Sequence, residues 1–266
     1  MSNFLVLSLW TAGLACIAHC QSASYEKYFL QGTQLQKEGR YLEAEAAYIT
    51  ATRELEQLLG PEQPAAAEIL NNLGSLQIAK HDYNAARLTL AHSLAIAEKA
   101  LGAEHPQTGL TLGNIAMIHH LQGRYAAAEP IYLRALEILT KSLGPNHPHT
   151  ARIALGLARL FLLERRNTDA EALFEKAVPA LQTAPDHHYQ DLALALTALA
   201  EAYRSDGRVT KAEPVYRRVL AVVVEEPSVN TGEISRGLQH YAEMLRKMKR
   251  KAEARQIEGQ LKTMLP

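Results

Sequence analysis

One register of alanines constrains this chain more than any other feature. Steps of 42 residues from Ala44 land on Ala86, Ala128, Ala170, Ala212 and Ala254, without an insertion or deletion. Twelve residues before each stands a small residue: Gly32, Gly74, Ala116, Ala158, Ala200 and Ala242. Four residues before each are Arg40, Asp82, Arg124, Arg166, Arg208 and Arg250; four after are Tyr48, Leu90, Tyr132, Phe174, Tyr216 and Glu258. A fixed period of this length marks a stack of like supersecondary units, each packing mainly on its neighbours.

Composition says what the units are made of. The 266 residues are 47% hydrophobic but only 6% aromatic, and Ala and Leu supply about three residues in ten. Both are strong helix formers. Lys+Arg and Asp+Glu are 28 each, so the chain lacks the cationic surplus a general nucleic-acid binder needs. A charged fraction of 21% beside so much apolar content excludes a mainly disordered chain.

Within a unit, Leu70, Leu73 and Leu76 have the spacing of an amphipathic helix. Gly39, Gly123 and Gly207 stand where a first helix must stop. A second helix begins near the alanine register. A small pair such as Ala116 and Ala128 lets the two axes approach, and Tyr132 fills the space one turn on. Leu59-Gly60, Leu101-Gly102 and Leu143-Gly144 close second helices, and Pro64, Pro106 and Pro148 open the next ones. His105 and His147 precede two of those prolines at the same period, so they belong to the link and serve its turn.

The runs Leu112-Gly113-Asn114-Ile115-Ala116, Gln122-Gly123-Arg124-Tyr125 and Ala128-Glu129-Pro130-Ile131-Tyr132-Leu133-Arg134-Ala135-Leu136 resemble the tetratricopeptide repeat. The usual period of that family is about 34 residues. The longer period and its LGxxHP-like link are similar to the form in kinesin light chains and many bacterial repeat proteins. The resemblance covers residues 25–266. It weakens at two links, Asp186-His187-His188 and Pro227-Ser228-Val229, where the length is kept. Gln31 stands where leucine is usual, and Glu258 replaces the aromatic in a shortened sixth repeat, as suits a polar end cap.

The resemblance implies an all-α, right-handed α-solenoid of about six helix–turn–helix repeats, starting near 25, 67, 109, 151, 193 and 235. Together with the register it predicts twelve helices, over 25–38, 42–58, 65–80, 84–100, 107–122, 126–142, 149–165, 168–182, 191–206, 210–225, 233–248 and 251–264. Gly74, Ala86, Ala116, Ala128, Ala158, Ala170, Ala200 and Ala212 are the structural positions that set helix contact.

Ahead of the repeats, Phe4 to Ala18 is an apolar stretch shorter than the ~20 residues of a membrane span. It fits the core of a secretory signal, with cleavage after Ala18, Cys20 or Ala23. No Lys or Arg precedes it, which leaves a retained anchor or a buried first helix as alternatives. Cys16 lacks the leucine expected three positions earlier in a lipoprotein signal. Residues 1–23 are therefore a leader, 24–266 the repeat domain, and the destination is the cell envelope or beyond. Both cysteines, Cys16 and Cys20, lie in this leader, so cleavage after Cys20 leaves a mature chain with no disulfide or cysteine metal site.

The family resemblance assigns ligand binding to a groove lined by first helices. It places Asn71, Asn72, Ser75 and Ile78 there, then Gly113, Asn114, Met117 and His120, then Arg152, Leu155, Arg159 and Leu162, then Thr197, Glu201 and Arg204. Asn72 and Asn114 share a register, and amides there can bond an extended peptide's backbone without reading its sequence. Gly156 and Ala198 follow in that column, so the asparagines stop after two. Arg152, Arg159 and Arg204 are candidates for pairing with an acidic group. By register His120 turns to the groove and His119 to the core.

No catalytic signature is present: no GxSxG, P-loop or GxGxxG. A zinc site needs three or four converging ligands, and neither HExxH nor CxxC accompanies the His119-His120 and His187-His188 pairs. No catalytic residue, metal or cofactor is expected. The basic run Arg246, Lys247, Lys249, Arg250, Lys251 and Arg255 reads as a solvated end cap or a contact for acidic lipid or a partner. The expected partner is a protein or peptide, not nucleic acid, with no membrane insertion of the mature chain. The scaffold is a monomer or self-associates. Its rivals are the same repeats displayed from a membrane anchor and a structural spacer without a groove.

Overall fold

The computed structural model describes residues 24–182, 189–229 and 232–264. Among these the chain forms twelve α-helices, one 3-10 turn and no strand. The helices are α1 (24–37), α2 (Tyr41–Leu59), α3 (Pro64–Ala79), α4 (Tyr83–Ala100), α5 (Pro106–Leu121) and α6 (Tyr125–Leu143). They continue as α7 (Pro148–Leu163), α8 (Asn167–Gln182), α9 (Tyr189–Ser205), α10 (Val209–Glu225), α11 (Gly232–Lys247) and α12 (Lys251–Met264). The even-numbered helices start at residues 41, 83, 125, 167, 209 and 251, each 42 after the last.

The chain divides into two compact units, one ending at Ile138 and one beginning at Leu139. In unit 1, α3 packs on α2, α4 and α5, and α4 packs on α5. In unit 2, α8 packs on α7 and α9, α10 and α11 pack on α9 and on each other, and α12 packs on α11. First helices touch directly in both units, α3 with α5, and α9 with α7 and α11. Each unit is thus a stretch of helical-repeat solenoid with one face lined by first helices.

The register explains this packing. Ala44, Ala86, Ala128, Ala170, Ala212 and Ala254 have no exposed surface. Ala116, Ala158 and Ala200 are likewise sealed. At Gly32 a methyl group would stand 2.8 Å from the Tyr48 ring, and at Gly74 it would stand 2.5 Å from Leu90 Cγ. First and second helices therefore touch backbone to side chain in repeats one and two. Tyr48, Leu90, Tyr132, Phe174 and Tyr216 are fully buried beside the small column. Glu258 escapes this core by pairing with Arg246 at 2.8 Å, so the last repeat meets water with an ion pair.

Every hairpin turns in the same way. Gly39, His81, Gly123, Arg165, Gly207 and Lys249, 42 residues apart, all take positive φ between 60° and 75°. The next residue's N–H then bonds a carbonyl five positions back: Arg40 to Leu35, Asp82 to Gln77, Arg124 to His119, Arg166 to Phe161, Arg208 to Tyr203 and Arg250 to Leu245. This is the Schellman closure, which satisfies the last carbonyls of a helix. Three of the six turns use a residue with a side chain, which the expectation built on glycines did not include.

Pro64, Pro106 and Pro148 are the first residues of their helices, one position earlier than predicted. Their missing N–H is one a helix start leaves unbonded anyway. His105 and His147 are N-caps: Nδ1 accepts the N–H of Gln107 at 3.1 Å and of His149 at 3.2 Å. Thr108 Oγ1 and Thr150 Oγ1 donate back to the carbonyls of Gly102 and Gly144. The His187-His188 pair and the leader lie outside the described residues. The expected loop at 227–229 is a 3-10 turn with Val229 buried.

Candidate functional site

In unit 1 the first-helix face is made by α3 and α5 and is nearly uncharged. Asn114 Nδ2 donates to Asn71 Oδ1 at 2.8 Å, and both residues are buried. The shared register of Asn72 and Asn114 thus does not describe the bond, which joins Asn114 to Asn71, one position off. Asn72, Ser75 and Met117 remain half-buried along this face. Neither Asn72 nor Ser75 hydrogen-bonds another described side chain. Behind the face, Ser93 Oγ donates to the Ala67 carbonyl at 2.7 Å and lies 3.2 Å from Thr111 Oγ1, locking α4 to α3 and α5.

His120 departs from its expected direction. Its ring meets Tyr125 and Tyr132 of α6 edge-on, with centroids 5.8 and 6.3 Å away. The residue lies four after Ala116, which is one helical turn, so it follows the stripe that touches the second helix. His119, one position back, has its Nδ1 buried with no hydrogen-bond partner. Burial lowers the affinity of its imidazole for a proton, and Arg124 adds to that effect.

In unit 2 the corresponding face, from α7, α9 and α11, is charged but compensated from within. Arg159 on α7 reaches Glu233 on α11 at 2.8 Å. Arg204 pairs with Glu201 on its own helix at 2.7 Å. Glu201 also accepts from the Tyr216 hydroxyl and lies 2.9 Å from His240 Nδ1. Burial pushes the Glu201 carboxyl up, but hydrogen bonds from Arg204 and Tyr216 more than offset it, so its pKa ends below the usual value. Tyr216 is held far above the usual phenol value, first by burial and then by Glu201. Arg152, half-buried two turns before Arg159, has no carboxylate at ion-pair distance among the described residues.

Two of the three groove arginines thus already hold an acidic group of their own chain. The carboxylates Glu233 and Glu201 and the imidazole of His240 complete a set that the register had left unassembled. His240 was within reach of the sequence, because it is the fifth member of the column running Asn72, Asn114, Gly156 and Ala198. Gly237 brings α11 against α9 closely enough that a methyl there would stand 2.5 Å from Thr197 Cγ2. Thr197 is buried and is therefore part of the α9–α11 contact and not of an open surface.

The back of unit 2 carries a second set of ion pairs. Glu171 on α8 accepts from Arg208 at 2.5 Å, from Lys211 at 2.9 Å and from Tyr203 at 2.8 Å. Arg208 holds the Glu171 pKa down to about 2 against the opposing effect of burial, with Lys211 and Tyr203 helping. Glu213 and Arg250 repeat the pair 42 residues on, at 2.8 Å. Arg250 and Arg246 of the basic run are thus spent on Glu213, Glu253 and Glu258.

No group of three His, Cys, Asp or Glu among the described residues could hold a metal ion. No described helix is long and apolar enough to cross a membrane.

Comparison with known families gives matches to the tetratricopeptide repeat over residues 25–99, 89–141 and 107–183, and again over 195–230. The sequence has no match among curated proteins. Among solved structures, BtubC (BKLC) from P. vanneervenii is 20% identical, with a TM-score of 0.60, covering 78% of this chain and 91% of that one. A Podospora anserina protein described as a kinesin light chain with nearly identical repeats is 19% identical, with a TM-score of 0.57, covering 76% and 96%. The Rap conjugation gene regulator of the plasmid pLS20, in complex with the Phr* peptide, is 12% identical, with a TM-score of 0.66, covering 92% and 76%. At these identities the likeness is one of fold.

Proposed function

Because the chain belongs to the tetratricopeptide repeat family, we propose that it is a non-catalytic scaffold holding a segment of a partner protein against its first-helix face. One observation carries this reading. The face of unit 1 presents Asn72, Ser75 and Met117 beside the Asn71–Asn114 amide pair, with almost no charge. The Asn72 amide and the Ser75 hydroxyl, which hydrogen-bond no other described side chain, suit an extended backbone, whose N–H and C=O groups recur whatever the sequence. The Rap regulator, of the same fold, was solved with a peptide bound, which supports a peptide as the occupant. The leader supports export to the cell envelope after cleavage, with a retained membrane anchor as the second reading.

Affinity capture with the full chain tests the groove. Asn72→Ala combined with Ser75→Ala should lose the captured partners while the melting temperature stays near wild type, since both side chains are half-buried. Survival of every partner on a folded double variant would overturn the groove. Fractionation with N-terminal sequencing tests export: a new N-terminus after Ala18, Cys20 or Ala23 is expected, and an intact Met1 in membranes would show an anchor instead.

A further inference from the structure

We propose that Arg159 is the centre of a carboxylate-binding site on the first-helix face of unit 2, and that Glu233 occupies it as a built-in competitor. The proposal rests on the groove reading above and adds its ligand chemistry and its regulation. Among the described ion pairs, Arg159–Glu233 alone joins residues 74 positions apart, from α7 to α11. Other inter-repeat pairs span 30 to 40 positions and bind neighbouring elements, such as Lys211 with Glu171 and Lys80 with Glu45. This one joins the two helices that pack on either side of α9.

The two arginine pairs of this face differ in how readily they exchange. Glu201 is fixed by three partners, Arg204, Tyr216 and His240, one of them buried. Glu233 has the single bond to Arg159, and both side chains are well exposed, at 43% and 38%. An exposed pair of this kind holds by little and trades readily with water or another carboxylate. Arg152, seven residues earlier on α7, faces the same way and lies about 10 Å along the helix. It adds a positive charge with no carboxylate at ion-pair distance among the described residues. An incoming acidic segment therefore gains Arg159 by displacing Glu233 and meets Arg152 beside it. The ligand class is a peptide segment bearing carboxylates, and Glu233 sets the threshold for its entry.

The test uses the full chain and two fluorescein-labelled decapeptides, one of alternating Glu and Gly and one with Gln in place of Glu. Glu233→Gln should tighten the Glu peptide about 2- to 5-fold at low salt, the range an exposed pair can supply. Glu233→Ala should do the same. Arg159→Gln together with Glu233→Gln should abolish the gain, and the Gln peptide should respond to none of the changes. Unchanged or weaker binding by both Glu233 variants, with wild-type melting temperatures, would overturn the competitor. Failure of the Glu peptide to bind any of these chains at millimolar concentration would overturn the carboxylate site itself. Neither result touches the groove of unit 1, which partner capture with the Asn72 and Ser75 variants decides separately.

Discussion

Units 1 and 2 share one backbone register and solve its electrostatics in opposite ways. In unit 2, Glu171 meets Arg208 and Glu213 meets Arg250, each glutamate 37 residues before its arginine. The same columns in unit 1 bring together Glu45 with Asp82, and Arg87 with Arg124, which are like charges. Glu45 turns instead to Lys80, and Asp82 caps α4 by accepting the Ala85 N–H at 3.1 Å. On the first-helix face the contrast recurs, amides in unit 1 and compensated charges in unit 2. Packing of small and bulky residues is the property both units keep. The charges are free to differ because they sit outside it.

The largest test of this comparison asks whether packing is indeed common to both units. Ala86→Leu in unit 1 and Ala212→Leu in unit 2 replace residues with no exposed surface. Each should destabilise by about 1–3 kcal/mol, measured as a loss of denaturation midpoint. A variant that melts like wild type would show that its unit tolerates the volume and that the register is not shared.

Next, the acid response should separate the units. Glu171 has a folded pKa of about 2 against an ordinary 4.5. A depressed carboxyl adds stability above its unfolded pKa, and that stability drains away as pH falls from about 4.5 towards 2. Hydrogen exchange in α8 to α10 should rise over that window, and Glu171→Gln should flatten the rise. A rise in α8 to α10 that persists unchanged after that substitution would assign the effect elsewhere.

A smaller gain is expected from the core of unit 1. Gln77 is 6% exposed, and its Oε1 lacks a hydrogen-bond partner. Leu35, Phe161, Tyr203 and Leu245 fill the same column in other repeats. Gln77→Leu should therefore stabilise by about 1 kcal/mol, read in the same denaturation curves. The smallest effect is at the turns. His81→Gly and Arg165→Gly should each stabilise by about 0.5–1 kcal/mol, since glycine accepts positive φ without strain. Loss of stability at both would mean that their side chains, and not the turn, decide the outcome.

These contrasts explain what could be read in advance. Helix order and the buried columns were legible because packing repeats at fixed spacing, and Ala44, Ala86 and Tyr132 obey it visibly. Half of the turn column was hidden, because His81, Arg165 and Lys249 take the glycine conformation without being glycine. His120 departs from the groove register because a residue four past Ala116 stays on the stripe facing α6. The bond from Asn114 to Asn71, at a separation of 43, breaks the period by one residue. Arg159 and Glu233, 74 apart, obey no period at all. Side-chain charges find partners in space, and a sequence register says little about which of two neighbouring helices they will reach.

The six identical turn closures have a consequence for the length of such a chain. Each hairpin ends on a carbonyl five residues back and restarts the next helix in the same phase. Removing or adding a whole 42-residue block between two of these turns leaves every remaining side chain on the face it held before. Reach along a partner can then change in whole steps, and the chemistry of each step can be altered alone.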